Sequence, residues 1–206
     1  MNMVRRSGLA LVLSLMLSGI VSSAHAATTY TGTVEHAITQ LTVAPENRTG
    51  YLRTLFRHWI DADGDCQNAR QETLISETLA PMTWTTASQC TAATGQWYSY
   101  FDGQTFTSAS QVAIDHMVPL AEAWDSGASA WDAQRRQDYA NDLGDPRALN
   151  AVGLSVNSSK SDSDPTTWMP ALERCRYYSD WVAVKLRWGL SIDSAELAAL
   201  NALTSE

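Results

Sequence analysis

At the centre of this sequence stands the segment Ala113-Ile114-Asp115-His116-Met117-Val118-Pro119-Leu120, in which a short apolar run ends in adjacent acidic and imidazole side chains. Large and small apolar residues alternate over 112–114, which is typical of a buried strand, and Pro119 breaks any regular continuation. Successive residues of a strand point to opposite faces of a sheet. We therefore predict a strand whose end presents Asp115 and His116 to two different partners, such as a metal ion and a water molecule.

Further along the chain, the segment LSVNSSKSD (154–162) combines small polar side chains with Lys160, one of the two lysines in the sequence. Three stretches, DHMVPLAEAWDSGA, QRRQDYANDL and VNSSKSDSDPTTWMP, resemble the secreted HNH-type nucleases related to the C-terminal domain of GmrSD-type restriction enzymes. The resemblance runs from about Tyr51 to Leu200. It implies an α+β fold with a ββα-metal (HNH-like) nuclease core, an aromatic β-hairpin region and additional packing helices.

The resemblance also implies a set of catalytic and metal-binding residues. His116 is the expected general base, because a neutral imidazole with an ordinary pKa of about 6.5 is available at pH 7. Asp115 and Asn157 are the expected metal ligands. Lys160 is expected to contact the substrate phosphate or to stabilise its charge.

HNH nucleases use a further asparagine beside the base. Asn150 lies on the expected second strand, which is a suitable position for this role. Asn141 lies in the segment QRRQDYANDL, which carries part of the resemblance. The sequence leaves both asparagines as candidates.

The type of metal follows from the expected ligand atoms. The family pattern ends in a histidine, and at that position this sequence has Asn157. Carboxylate and amide oxygens suit hard divalent cations, whereas Zn²⁺ prefers histidine and cysteine. We therefore expect Mg²⁺ or Mn²⁺ as the cofactor, bound with modest affinity.

The first residues have the features of a secretory signal peptide. Arg5 and Arg6 form a basic start, an apolar stretch covers 9–21, and Ala24-His25-Ala26 fits a cleavage site. We expect a secreted monomer, extracellular or periplasmic, without a membrane segment after cleavage. The expected organisation is a signal peptide (1–26) and a single domain (27–206) with its nuclease core at about 96–170 and C-terminal helices over 171–203.

The charge of the chain limits how it can bind nucleic acid. The formal net charge is −8, and removal of Arg5 and Arg6 with the signal peptide leaves −10. This balance excludes a general positive field as the means of attraction. Local basic groups remain available, and we assign Arg135 and Arg136 to substrate contact. The expected substrate is DNA, with RNA as an alternative.

An acidic loop supports a competing function. Asp61, Asp63, Asp65 and Glu72 occupy positions 1, 3, 5 and 12 of a loop that resembles the EF-hand, but Cys66 stands where that loop requires glycine. Calcium bound here would favour a calcium-stabilised extracellular binding module without catalysis.

Three cysteines allow three disulfide pairings, and the sequence does not decide between them. Export permits a disulfide. We prefer Cys66 with Cys90, since this bond would tie the acidic loop to the start of the hairpin region. Cys175 falls in a helical pattern and is expected to be free and buried.

Local patterns predict several further elements. Apolar residues at helical spacing predict a helix whose core stripe is Leu52, Leu55, Phe56 and Trp59. The pair Asp102-Gly103 predicts a β-hairpin turn. The remaining expectations are a second strand (148–152), a short helix or turn (157–160), and helices over 120–124, 130–143, 172–190 and 193–203.

Overall fold

The computed structural model describes residues 30–204, so the expected signal peptide lies outside the described residues. Helices and small antiparallel sheets form an α+β fold, as predicted. None of the helices in this range is both long and apolar enough to cross a membrane. The helices are α1 (Val34–Thr39), α2 (Ala69–Glu77), α3 (Leu120–Asp125), α4 (Ala133–Ala140), α5 (Leu154–Lys160), α6 (Arg174–Trp188) and α7 (Ser194–Leu203). The strands are β1 (Thr83–Trp84), β2 (Ala92–Ser99), β3 (Gln104–Ser108), β4 (Val112–His116) and β5 (Leu149–Gly153).

The aromatic hairpin is formed by β2 and β3, and β1 pairs with the other edge of β2. Its turn contains Gly103 at φ +73°, a left-handed conformation that glycine adopts without strain. The predicted turn at Asp102-Gly103 is therefore confirmed. Trp97 of β2 is fully buried, and its indole N–H donates to the carbonyl of Leu74 at 2.8 Å. This hydrogen bond fastens α2 against the sheet.

The second sheet consists of β4 and β5, which pair antiparallel. Asp115 lies opposite Asn150, and His116 lies opposite Leu149. All residues of β5 are buried, and α5 begins immediately after the strand ends. The order strand, strand, helix confirms the predicted ββα arrangement, although α5 begins at Leu154 and not at Asn157.

The longest helix, α6, lies in the main hydrophobic core. Tyr177, Trp181 and Val182 have no exposed surface. Gly189 ends the helix in a left-handed conformation at φ +65°, a usual helix-ending residue. The helix predicted over 172–190 is therefore present but shorter at both ends.

A buried ionic network joins α3, α6 and α7. The ammonium of Lys185 donates to the carboxylates of Glu122 (2.8 Å) and Glu196 (2.7 Å). It also donates to the hydroxyl of Ser126 and the carbonyl of Ser191, both at 3.0 Å. Lys185 and Glu196 have no exposed surface, and Glu122 is 3% exposed. The single cation therefore holds two buried carboxylates.

The prediction of a helix around Phe56 is wrong. A single 3₁₀ turn, Arg53–Leu55, forms there, and Trp59 has φ +58°, which a right-handed helix cannot contain. Phe56 is fully buried, as expected for the core stripe, whereas Leu52 is 61% exposed. The segment after the turn is fixed by hydrogen bonds from the side chain of Asn141, described below.

The expected disulfide between Cys66 and Cys90 is confirmed, with 5.2 Å between the Cα atoms. Cys175 is free, as expected, but the expectation that it is buried is wrong. It lies in the first turn of α6, where residues 174–176 all face solvent.

Candidate active site

A cavity of about 420 Å³ lies at the end of β4. Asp115 and His116 reach it from the strand, and Asn157 reaches it from α5. Tyr51 and Arg53 line it from the segment that precedes α2. The predicted base and both predicted metal ligands therefore line one cavity at the ββα junction.

The imidazole of His116 is held in one tautomer. Its Nε2 atom lies 3.0 Å from the carbonyl oxygen of Ala140, the last residue of α4. A carbonyl oxygen only accepts, so Nε2 carries the proton and Nδ1 remains an acceptor. Burial lowers the pKa of His116 to about 3. The ring is therefore neutral throughout the neutral pH range and able to take up a proton.

Two aromatic rings pack against this imidazole. The ring of Trp59 is stacked on His116 with 5.5 Å between centroids, and the ring of Tyr139 is stacked with 6.4 Å between centroids. These rings replace water around the imidazole, which is the physical cause of its low pKa. They come from parts of the chain that are distant in sequence.

The side chain of Asn141 connects these parts. Its Oδ1 accepts the backbone N–H of Ile60 at 3.0 Å, and its Nδ2 donates to the carbonyl of Arg57 at 2.7 Å. A further bond of 2.7 Å goes to a carbonyl of α4. These contacts fix the backbone on both sides of Trp59. Asn141 also directly follows Ala140, which accepts from the imidazole.

Asn150 has different surroundings. It lies on β5 opposite Asp115, is 2% exposed, and donates from Nδ2 to the carbonyl of Arg147 at 3.1 Å. This bond fastens the turn that precedes β5. Of the two asparagines that the sequence leaves open, Asn141 is therefore the one next to the acceptor of the imidazole.

Asp115 forms a buried ion pair with Lys160. The ammonium lies 3.0 Å from Oδ1 and 2.9 Å from Oδ2 of the carboxylate, and it donates to the carbonyl of His116 at 2.8 Å. Burial raises the pKa of Asp115 to about 6, and the ammonium opposes this shift. Lys160 is fully buried and is not among the residues that line the cavity within 30–204. The structure therefore does not support the expected contact of Lys160 with phosphate.

Asp115 and Asn157 line one cavity and carry oxygen atoms of the type that a hard divalent cation takes as ligands. Oδ2 of Asp115 is buried and lies 2.9 Å from the Lys160 ammonium, but no residue between 30 and 204 donates a hydrogen bond of good geometry to it. The amide of Asn157 lines the same cavity. Carboxylate and amide oxygens are ligands that Mg²⁺ and Mn²⁺ accept.

Similarity to known proteins identifies the family of this chain. The sequence matches the family described as GmrSD restriction endonucleases, C-terminal domain, over residues 42–203. The chain belongs to this family. An uncharacterized secreted protein of Arthroderma benhamiae is 40% identical over 174 residues, which cover 83% of each of the two chains. No solved structure matches the chain.

In this member of the GmrSD C-terminal domain family, the two arginines assigned to substrate lie elsewhere. Arg135 donates to the carbonyl of Trp188 at 2.8 Å, and Arg136 donates from Nε to the carbonyl of Leu55 at 3.3 Å. Both guanidinium groups also pack on tryptophan rings. Neither arginine is among the described residues that line the cavity. The structure therefore assigns them packing contacts and does not support the expected substrate contact.

The acidic loop only partly matches the predicted calcium site. The carboxylates of Asp61, Asp63 and Asp65 lie within 4.8 Å of one another on the surface, but Glu72 is not in this group among the described residues. The Asp61 carboxylate accepts two backbone N–H groups of the loop at 2.8 and 2.9 Å. These contacts stabilise the turn, and calcium binding stays a prediction.

The sequence patterns do not mark Tyr51 and Arg53 as residues of this family's site. Tyr51 directly precedes the apolar stripe that predicts a helix and Arg53 lies within it, and no local motif distinguishes Arg53 from other surface arginines. The structure brings them to the cavity because the 3₁₀ turn packs next to the end of β4. A contact between residues so far apart in the chain cannot be predicted from a single sequence.

Proposed function

We propose that this chain is an exported, metal-dependent endonuclease that hydrolyses phosphodiester bonds in DNA, with RNA as an alternative substrate. The main support is the arrangement at the ββα junction, where a neutral imidazole of fixed tautomer, a buried carboxylate and an asparagine line one cavity. Membership of a restriction-endonuclease family supports the nuclease reaction. The name of the secreted relative supports export.

His116 is the proposed general base. Nδ1 takes a proton from the water that attacks phosphorus, and the bond from Nε2–H to the carbonyl of Ala140 stabilises the imidazolium that forms. A base with so low a pKa is weak until substrate binds. The negative charge of a phosphodiester next to the ring raises the pKa of His116, so proton uptake is favoured only when substrate is present.

Asp115 and Asn157 would hold the divalent cation. When bound, this cation neutralises charge that develops on the phosphate and on the leaving oxygen. Lys160 orients the carboxylate of Asp115 and keeps it ionised at neutral pH, because its positive charge opposes the effect of burial. The same ammonium competes with a metal for this carboxylate, which agrees with modest metal affinity.

Asn141 is the proposed third residue of the HNH set. It acts through its neighbours, since its side chain fixes the backbone beside Trp59 and the end of α4 that carries the carbonyl of Ala140. Asn141 is therefore a positioning residue. Asn150 is assigned to the stability of the sheet.

An Asn141→Ala variant is expected to lower kcat about tenfold to a hundredfold, because small displacements of a catalytic group have large effects on rate. Asn150→Ala should change kcat less than about threefold while reducing the free energy of unfolding by about 1 kcal/mol. Steady-state rates on plasmid DNA and urea denaturation measure the two quantities. Equal losses of rate in both variants would reject the assignment of Asn141.

The proposed function is tested with supercoiled plasmid and the purified mature protein. Nicking is expected with Mg²⁺ or Mn²⁺ and is expected to stop when EDTA removes the ion, because only two protein ligands hold it. Addition of excess Mg²⁺ should restore nicking. Intact plasmid and intact RNA in every divalent ion tried would overturn the proposal. Stabilisation by Ca²⁺ alone would then favour the binding module.

A further inference from the structure

Most charged groups around the cavity are already paired with one another. Lys160 and Asp115 form a buried pair at 2.9 Å. Arg48 lies 2.6 Å from Asp125 and 2.6 Å from Asp162, so it neutralises carboxylates at the ends of α3 and α5. These ion pairs neutralise the charges of their members, so the paired groups offer little positive charge to an anionic substrate.

Arg53 is different from these groups. It lines the cavity, its side chain is exposed, and the structure pairs it with no carboxylate within residues 30–204. Its positive charge acts on the imidazole of His116, where it adds to the lowering of the pKa by burial. The phenol of Tyr51 is the neighbour of Arg53 and accepts a hydrogen bond from it. In a chain with formal charge −8, an arginine at the wall of a cavity that no described carboxylate neutralises is available to an anion.

The backbone that carries Arg53 is firmly anchored. Arg53 opens the 3₁₀ turn, which closes when the N–H of Phe56 donates to the Arg53 carbonyl at 3.1 Å. Phe56 is fully buried, and its ring meets those of Trp124 and Tyr139 at 6.4 and 6.1 Å between centroids. Arg53 therefore lines the cavity from a fixed backbone position.

We propose that Arg53 binds the non-bridging oxygens of the phosphate that is cleaved. This inference rests on the proposed nuclease function and adds the residue that recognises the substrate by charge. A guanidinium presents N–H donors in a fixed fork that matches two phosphate oxygens, and it strengthens its contacts as negative charge grows on them. The phosphate then lies among Arg53, Asp115 and Asn157, with His116 beside it.

This assignment explains how an acidic protein would hold a polyanion. One charged contact at the reacting phosphate replaces a broad basic surface. The logarithm of affinity then falls with the logarithm of salt concentration with a slope of about −1, far less steep than for proteins that neutralise many phosphates.

The test measures kcat/KM on bis(4-nitrophenyl) phosphate, a substrate with a single phosphodiester, with Mg²⁺ present. Arg53→Ala is expected to lower kcat/KM about tenfold to a hundredfold, which corresponds to the loss of a hydrogen bond to a charged group. Arg53→Lys should recover part of this loss, and guanidinium ion added to Arg53→Ala should do the same. Arg57→Ala is the matched control, because Arg57 is exposed on the same segment and is not among the described residues that line the cavity.

Calorimetric binding of inorganic phosphate with Mg²⁺ tests the same residue without turnover. The dissociation constant is expected to rise about tenfold to a hundredfold in Arg53→Ala and to stay unchanged in Arg57→Ala. Equal phosphate affinity in wild type and Arg53→Ala would overturn the inference, whether or not the protein cleaves nucleic acid. If phosphate binding depends on Arg53 but no phosphodiester is cleaved, the inference stands and the nuclease function fails.

Discussion

A His116→Ala variant is expected to lose about 10²- to 10⁴-fold in kcat for phosphodiester cleavage. The variant lacks the group that accepts the proton of the attacking water, and no other described histidine lines the cavity. Because the ring packs against Trp59 and Tyr139, its removal also leaves a gap. His116→Gln, which fills more of that space, should show a similar loss of rate with a smaller loss of stability. Plasmid nicking and thermal unfolding measure both effects.

His36→Ala is the matched control for this experiment. His36 lies on α1, is exposed and does not line the cavity, so its removal should leave kcat unchanged. Binding of Mn²⁺ should persist in His116→Gln, since Asp115 and Asn157 remain. Retention of more than a tenth of the wild-type kcat by His116→Ala and His116→Gln would exclude His116 as the base.

Replacement of Lys185 by methionine is expected to lower the free energy of unfolding by about 3–5 kcal/mol. The change leaves Glu122 and Glu196 buried without the cation that both share. Arg57→Met, which removes an exposed cation, should change stability by less than about 0.5 kcal/mol. Urea denaturation measures these values. A loss below about 1 kcal/mol in Lys185→Met would show that water or local rearrangement compensates for the missing ammonium.

The size of this loss should depend on pH. Burial raises the pKa of Glu196 from 4.5 to about 7, so between these values the folded protein binds a proton that the unfolded chain releases. A raised carboxyl pKa gives stability that is complete below about 4.5 and is lost as the pH rises through about 7. Without the ammonium this pKa rises further, so the deficit of Lys185→Met is larger at pH 8 than at pH 5. Adding Glu196→Gln should recover part of the loss at pH 8.

The ββα unit could be predicted from the resemblance to HNH-type nucleases, because the motifs that carry the resemblance are local. An apolar run that ends in Asp115, His116 and then Pro119 marks the end of β4, and the polar segment around Asn157 marks α5. The strand ends where the sequence predicts, and the helix begins three residues earlier than predicted, at Leu154. The hairpin turn at Gly103 could also be predicted, since glycine adopts the left-handed conformation of such turns without strain.

The rest of the site depends on contacts between distant residues. The side chain of Asn141 hydrogen-bonds to the backbone of Arg57 and Ile60, which are more than 80 positions earlier in the chain. No sequence pattern in either segment predicts these bonds. The apolar spacing around Phe56 matches a helix, but these same long-range bonds hold the chain in another conformation. The prediction that Arg135 contacts substrate rests on its charge alone, whereas in the structure its guanidinium packs on Trp131 and donates to the carbonyl of Trp188.

The contacts of the His116 imidazole make the site dependent on folding of the whole domain. The carbonyl of Ala140 and the ring of Trp59 contact His116 only in the folded chain, because both are distant from it in sequence. An unfolded chain contains the carboxylate and the imidazole but not the contacts that hold them. On the proposed function, cleavage thus requires the folded chain and not the Asp115-His116 pair alone.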